Sequence, residues 1–283
     1  MKIAKRKKGK REYFYLKHSF RKDDKVITKE IYLGAEIPKD IKKIKTEFKI
    51  QFQNELYKKL EKIKDNFQKE WNKIPESVKK KELEEIAIAF TYNTNAIEGS
   101  TITLEETREI IHDKISPNKP LRDVRETEAH SKVFLKMLEK KEKITKELLL
   151  KWHEEIFGLT KPDLAGRYRN YLVTIGGYVP PNPEELNKLM TNLINFINNS
   201  KLNPVELSGR AHFIFESIHP FGDGNGRIGR LLMNYILWHN NYPMLIIEYK
   251  KRNSYYKAFH NKEEGFLKYF LRRYLTVHKK RLR

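Results

Sequence analysis

Cysteine is absent from the 283 residues, which excludes disulfides and thiolate metal sites. Long apolar runs are missing as well. Nothing approaches the ~20 residues needed to span a bilayer, and residues 1–20 are charged without the apolar segment of a secretory leader. The expectation is a soluble, cytoplasmic protein. Acidic residues are too few to balance the basic ones, with 37 Asp/Glu against 58 Lys/Arg and a net charge of +21. That shortage sits at the two ends. Residues 1–80 carry 25 Lys/Arg against 12 Asp/Glu and residues 241–283 carry 12 against 3, while residues 81–240 are balanced at 21 against 22. Basic ends suit nucleic acid or an acidic partner. Lysine solvating helix faces accounts for them without any partner.

Glycine is also sparse, at 13 residues, so three of them alternating at Gly222, Gly224 and Gly226 stand out. They lie in His219-Pro-Phe-Gly-Asp-Gly-Asn-Gly-Arg-Ile-Gly-Arg230. A helical stripe of Ile228, Leu231, Leu232, Tyr235 and His239 follows directly. A loop free to take positive φ turns backbone N–H groups toward one point, and a helix start adds unpaired N–H groups and a positive dipole end. The combination is a phosphate cradle. Arg227 and Arg230 are three residues apart, so both are expected to rise from one helix face toward the same anion. Asp223, a carboxylate facing phosphates, makes chemical sense with a divalent cation between them. His219 has an unperturbed pKa of about 6.5 and so can accept a proton near neutrality. A plain turn before a helix, with a structural histidine, is the alternative. The conjunction of residue types favours a site for phosphate transfer or phosphate hydrolysis.

The rest of the chain reads as mainly α. Residues 11–34 alternate like a hairpin, with Tyr13, Tyr15 and Phe20, a turn near Asp23-Asp24-Lys25, then Val26, Ile27, Ile31, Tyr32 and Leu33. Residues 38–74 repeat apolar side chains at spacings of three and four from Ile41 to Trp71, which predicts one long helix with a packing face for the main domain or a second subunit. Helices are expected over about 78–97, from Thr103, over about 121–139, from Thr145 to Phe157, from Pro183, from Asn203, and through 249–274. Histidines 112, 130 and 153 fall within these helices and read as structural. Tyr171, Val173 and Ile175 alternate before Gly176-Gly177, a tight-turn pair. The expected division is a basic β-hairpin appendage (1–36), a long basic amphipathic helix (37–80) and one large domain (81–283).

Residues 219–230 match HxFxDGNGRxxR at every specified position, and on these residues the chain resembles the Fic family. Thr94-Asn-Ala-Ile-Glu98-Gly99 is similar to the (S/T)xxxE(G/N) inhibitory motif of part of that family. The resemblance covers about residues 81–260. It implies a helical Fic domain with a small β-hairpin flap at about 171–180, an inhibitory helix at about 81–99, and transfer of AMP from ATP to a Ser, Thr or Tyr hydroxyl of a target protein. By this resemblance His219 is the base and Asp223 holds Mg²⁺. The N–H groups around Gly224, Asn225 and Gly226 form the anion hole, with Arg227 on the phosphates. Arg230 contacts the γ-phosphate or, at rest, Glu98, with Thr94 beside it. The flap, including Leu172, Val173, Thr174, Ile175 and Gly176, aligns the target by strand addition. Tyr255 and Tyr256 are candidates for an adenine contact. Two other readings stand beside this one: removal of AMP with Glu98 assisting water, and a nucleic-acid-binding regulator with the Fic domain as sensor. A homodimer through the 41–71 stripe is a further expectation.

Overall fold

The computed structural model describes residues 1–22 and 25–283, and side chains for these except 19–22 and 25–27. The expected turn at Asp23-Asp24 lies outside the described residues. The chain divides into two compact units, Met1–Lys59 and Leu60–Arg283. The first holds strands β1 (Lys2–Lys8), β2 (Arg11–Lys22) and β3 (Lys25–Gly34), paired antiparallel in the order β1-β2-β3. The sheet has three strands where a hairpin was expected. The added strand is the basic run at the N-terminus, whose lysines show no apolar alternation; charged side chains of that kind suit an edge strand. Helix α1 (Ile41–Asn72) begins in this unit, and Phe48 joins Leu16 and Leu33 in a small core supported by Phe14, Ile31, Ile41, Ile44 and Phe52.

Within the second unit the remainder of α1 buries Leu60, Ile63 and Phe67, and Phe67 packs beside Trp71 and Trp238. The expected packing face therefore meets the main domain here. Helices α2 (Glu76–Ile97), α3 (Leu104–Arg108), α4 (Leu121–Glu139), α5 (Lys146–Phe157), α6 (Leu186–Asn199), α7 (Pro204–Ile218) and α8 (Asn225–Trp238) follow in order. Their starts sit where local chemistry put them. Thr103 and Glu106 form a reciprocal capping box, Thr145 accepts from the Leu148 N–H, and Asn203 accepts from the Val205 N–H. Ile228, Leu231 and Leu232 of α8 are fully buried against Phe215 and Phe221 in the central core. Alpha-eight is thus the hub of the bundle.

Two expectations change in detail. The stretch 249–274 is not one helix but a short turn followed by α9 (Arg252–Phe259) and α10 (Lys262–Val277), with Lys262 at φ 59° where they break. The hairpin near 171–180 is a tight turn and no more: Ile175 and Tyr178 exchange both N–H···O bonds across Gly176 and Gly177, with no strand on either side. Both glycines have positive φ, 54° and 84°, as a two-residue hairpin turn requires. Among the described residues no helix is long and apolar enough to cross a membrane.

Candidate active site

The site forms where α7 ends and α8 begins. His219 closes α7 in the left-handed region (φ 49°, ψ 61°), a costly conformation for a residue with a Cβ and one that marks functional positions. Phe221, fully buried, anchors the loop that follows. Asn225 clamps it: its carboxamide accepts from the Phe221 N–H and donates to the Phe221 carbonyl, each at 2.9 Å. The Asn225 side chain is therefore spent on the loop, and only its backbone N–H is open to an anion. Gly224, with φ 76°, caps α8, and a Cβ there would sit 2.4 Å from the Phe157 ring. The first N–H groups of α8 have no intrahelical acceptor.

Burial is the main force on the His219 imidazole and takes its pKa down to about 4; a hydrogen bond to the Glu216 backbone opposes this only in part. The ring is neutral at pH 7 and able to take a proton. Below it the loop rests on His153, which stacks on Phe221 at 3.9 Å and 11°. Its Nδ1 accepts from the Gly166 N–H (3.0 Å), so the Nε2–H donates to the Asp223 carbonyl (2.9 Å). The structural role read for His153 is thus specific: it carries the Asp223 segment.

The two arginines do not converge. Arg227 pairs with the buried carboxylate of Glu126 on α4, with its guanidinium over Phe157 at 4.3 Å. Arg230, fully buried, turns to α2. Its Nε donates to Thr94 Oγ1 (2.7 Å), and its Nη2 donates to the Thr94 carbonyl (3.1 Å) and to Glu98 Oε1 (2.7 Å). Three residues on a helix share a face only roughly, and here each arginine follows its own carboxylate. Burial opposes the Arg230 charge most strongly, but Glu98, with Tyr255 and Glu216, outweighs it and raises its pKa. Glu98 also packs tightly on the cradle, since a Cβ on Gly226 would lie 2.2 Å from Glu98 Oε1.

Asp223 is half exposed. One oxygen accepts from the Gly224 N–H and the other lies 2.8 Å from Lys161 Nζ, which also sits 2.8 Å from Glu126. Burial would raise the Asp223 pKa, yet the Lys161 bond and the Arg227 charge hold it below the usual carboxylate range. Glu98, Glu126, Lys161, Asp223 and Arg227 line a polar cavity of about 160 Å³. Glu126 and Lys161 were not singled out in the sequence; they stand 97 and 62 residues before Asp223, with no local pattern to mark them.

Arg169 is a third residue the sequence did not reveal. It is buried, and its guanidinium donates to the His219 carbonyl (2.9 Å), the Tyr171 carbonyl (2.8 Å) and the Pro181 carbonyl (2.6 Å). It therefore ties the base of the tight turn to the backbone of His219. Leu172, Thr174, Ile175 and Gly176 are exposed and Val173 is partly so, and Tyr178 donates to the Ser217 carbonyl on α7. Of the two tyrosines expected near a purine, Tyr255 is a core residue, bonded to His212 Nε2 at 2.7 Å, and offers no face. Tyr256 is 43% exposed and its hydroxyl reaches the Ile97 carbonyl beside Glu98.

Against known proteins, residues 143–237 match the model of the Fic/DOC family. A protein adenylyltransferase Fic from Nematostella vectensis is 35% identical over 201 residues, 68% of this chain and 47% of that protein. The chain spans less than half the length of the curated relatives it matches. Fic-1 from C. elegans superposes with a TM-score of 0.69 at 25% identity, covering 83% of this chain and 73% of that one. A Fic domain containing signaling protein from Bacteroides thetaiotaomicron superposes with a TM-score of 0.66 at 26% identity, covering 81% and 97%.

Proposed function

Because the chain belongs to the Fic family, with the matched domain at residues 143–237, we propose that it transfers AMP from ATP to a Ser, Thr or Tyr hydroxyl of a target protein and is restrained by Glu98. The observation that carries this reading is the contact of Glu98 with both Arg230 and the Gly226 position, inside the anion cradle and beside a neutral histidine. His219 takes the proton from the target hydroxyl. The hydroxyl oxygen then forms its bond to the α-phosphorus as the bond to the leaving pyrophosphate breaks. The N–H groups at the start of α8 stabilise charge on the transferred phosphoryl group. Arg227 meets the phosphates from the Glu126 side. Arg230 meets the γ-phosphate once Glu98 has left it. The exposed backbone at 172–176 aligns the target segment.

A magnesium ion fits the donors present. Asp223 offers one half-exposed carboxylate toward the cavity, and Mg²⁺ is commonly held by one or two carboxylates together with substrate phosphates. Asp223 would hold the ion, which would supply charge neutralisation on the phosphates. Among the described residues there is no cluster of three or more metal-ligating side chains.

The test uses α-labelled ATP with Mg²⁺ on the wild type, Glu98→Gly and His219→Ala, following label on the protein itself and on candidate targets. Restrained transfer gives at least about a tenfold rise in Glu98→Gly, the equivalent of ~1.4 kcal/mol in barrier, and none in His219→Ala. Absence of label in both the wild type and Glu98→Gly would sink the proposal. Loss of AMP removal from a modified target in Glu98→Gly, without a rise in transfer, would make removal the activity instead.

A further inference from the structure

The N-terminal sheet has two unlike faces. Residues paired across antiparallel strands lie on the same face. One face therefore carries Phe14, Leu16 and Ile31 and packs on Phe48 and Phe52 of α1. The other carries Arg6 opposite Tyr13, Tyr15 opposite Tyr32, Lys8 opposite Arg11 and Lys17 opposite Glu30. On this open face the three tyrosines form one aromatic surface. Tyr32 lies 5.3 Å from Tyr15 and 6.1 Å from Tyr13, tilted by 50° and 47°, and is 55% exposed. Arg6 spreads over the Tyr15 ring at 4.6 Å, held there by Glu30. Arg6, Lys7, Lys8 and the three tyrosines wall a shallow cavity of about 480 Å³.

Charge sets the ligand class. Residues 1–34 contain twelve Lys/Arg against four Asp/Glu. Among the described residues, the ion pairs of this sheet engage Lys5, Arg6, Lys7 and Lys17 with Glu12 and Glu30, and Lys29 with Glu55, leaving Lys2, Lys8, Lys10 and Arg11 without a carboxylate. One exposed ring, Tyr32, beside the partly exposed Tyr13 and Tyr15 and flanked by unpaired cations, matches a chain of alternating flat bases and phosphates. Bases stack on aromatic rings and basic side chains track the backbone. Stacked bases inside a duplex present no faces to such a surface. An acidic peptide would satisfy the cations and leave the rings unused.

We propose that this open face, built on Tyr13, Tyr15 and Tyr32 with Arg6, Lys8 and Arg11, binds single-stranded nucleic acid. The function is separate from nucleotide chemistry at His219.

The test is fluorescence anisotropy of the full chain with labelled 20-mers of oligo(dT), oligo(rU) and a mixed duplex, over a series of salt concentrations. The expected result is tighter binding to a single strand than to the duplex, and a log–log salt slope of about −0.7 per phosphate contacted. Tyr32→Ala should weaken binding about tenfold or more, as loss of one stacking platform does, and Tyr32→Phe should keep it within about twofold. Lys8→Glu with Arg11→Glu, at two exposed positions, lowers affinity and flattens the salt slope without touching the small core. His219→Ala binds as the wild type does. The tighter of the DNA and RNA arms identifies the natural source. Absence of binding at 50 mM salt (about a 14 Å screening length), equal or tighter binding to duplex, or unchanged affinity in Tyr32→Ala would overturn the proposal.

Discussion

Arg169 shows how much one buried residue can organise. Its three donated hydrogen bonds join the carbonyl of His219 to those of Tyr171 and Pro181. Removing the guanidinium leaves three part-buried acceptors short of a donor, at about 1 kcal/mol for each, the low end of the range for an unpaired group. Arg169→Ala is expected to lower stability by about 3 kcal/mol, read from the urea midpoint. It should also reduce the transfer rate by about a hundredfold, because small displacements of a catalytic group are that costly. Arg169→Lys does not rescue, since one ammonium cannot replace a planar fork that serves three acceptors. Unchanged kcat in folded Arg169→Ala would refute the positioning role. Glu216 is the opposite kind of residue. Burial raises its carboxyl to about 8, with Arg230 opposing and Glu98 adding to the shift, so it is largely protonated at neutral pH.

At the scale of elements, the turn at Gly176-Gly177 is small but demanding. Gly177 has φ 84° and nothing near its missing Cβ, so the constraint is conformational and not steric packing. A β-branched side chain there strains the backbone and splays the Ile175–Tyr178 pair. Gly177→Val should cut labelling of a protein target about tenfold while leaving nucleotide affinity by calorimetry unchanged; that factor is ~1.4 kcal/mol, within the range of local backbone strain. A parallel loss of nucleotide binding would show that the turn supports the cradle and not the target. Helix α2 acts by its end. Thr94 and Glu98 reach Arg230 only because α2 runs beside α8, with Gly99 at φ 90° closing the helix after Glu98.

For the whole molecule, the buried histidines set the acid limit of stability. Burial is the leading cause that lowers His153, His219 and His278 to about 4 and His212 to about 3, and it lowers His130 as well. Between pH 6.5 and about 4 the unfolded chain binds protons that the folded chain refuses, so stability falls as pH drops through that window. Glu216 works in the other direction. Its folded pKa is raised, so its contribution is complete below about 4.5 and is lost as pH rises toward 8. The unfolding midpoint should decline below pH 6.5, and Glu216→Gln should steepen that decline between pH 6.5 and 4.5, because it removes a group whose contribution grows as pH falls. A midpoint independent of pH from 4 to 6.5 would contradict the burial of these rings. What was legible in the sequence and what was not divide along the same physical line. Helix starts at Thr103, Thr145 and Asn203, the glycine cradle and the motif from His219 to Arg230 were decided by neighbours along the chain, whose hydrogen bonds are local. The lysine-rich first strand was silent because its partner, not its own pattern, makes it a strand. Only the tertiary structure could turn Arg227 to Glu126 and Arg230 to Glu98, bury Tyr255, and bring Arg169 to His219 across 50 positions. Those contacts join residues far apart in the chain, and their energy depends on burial and partner geometry that no window of sequence contains.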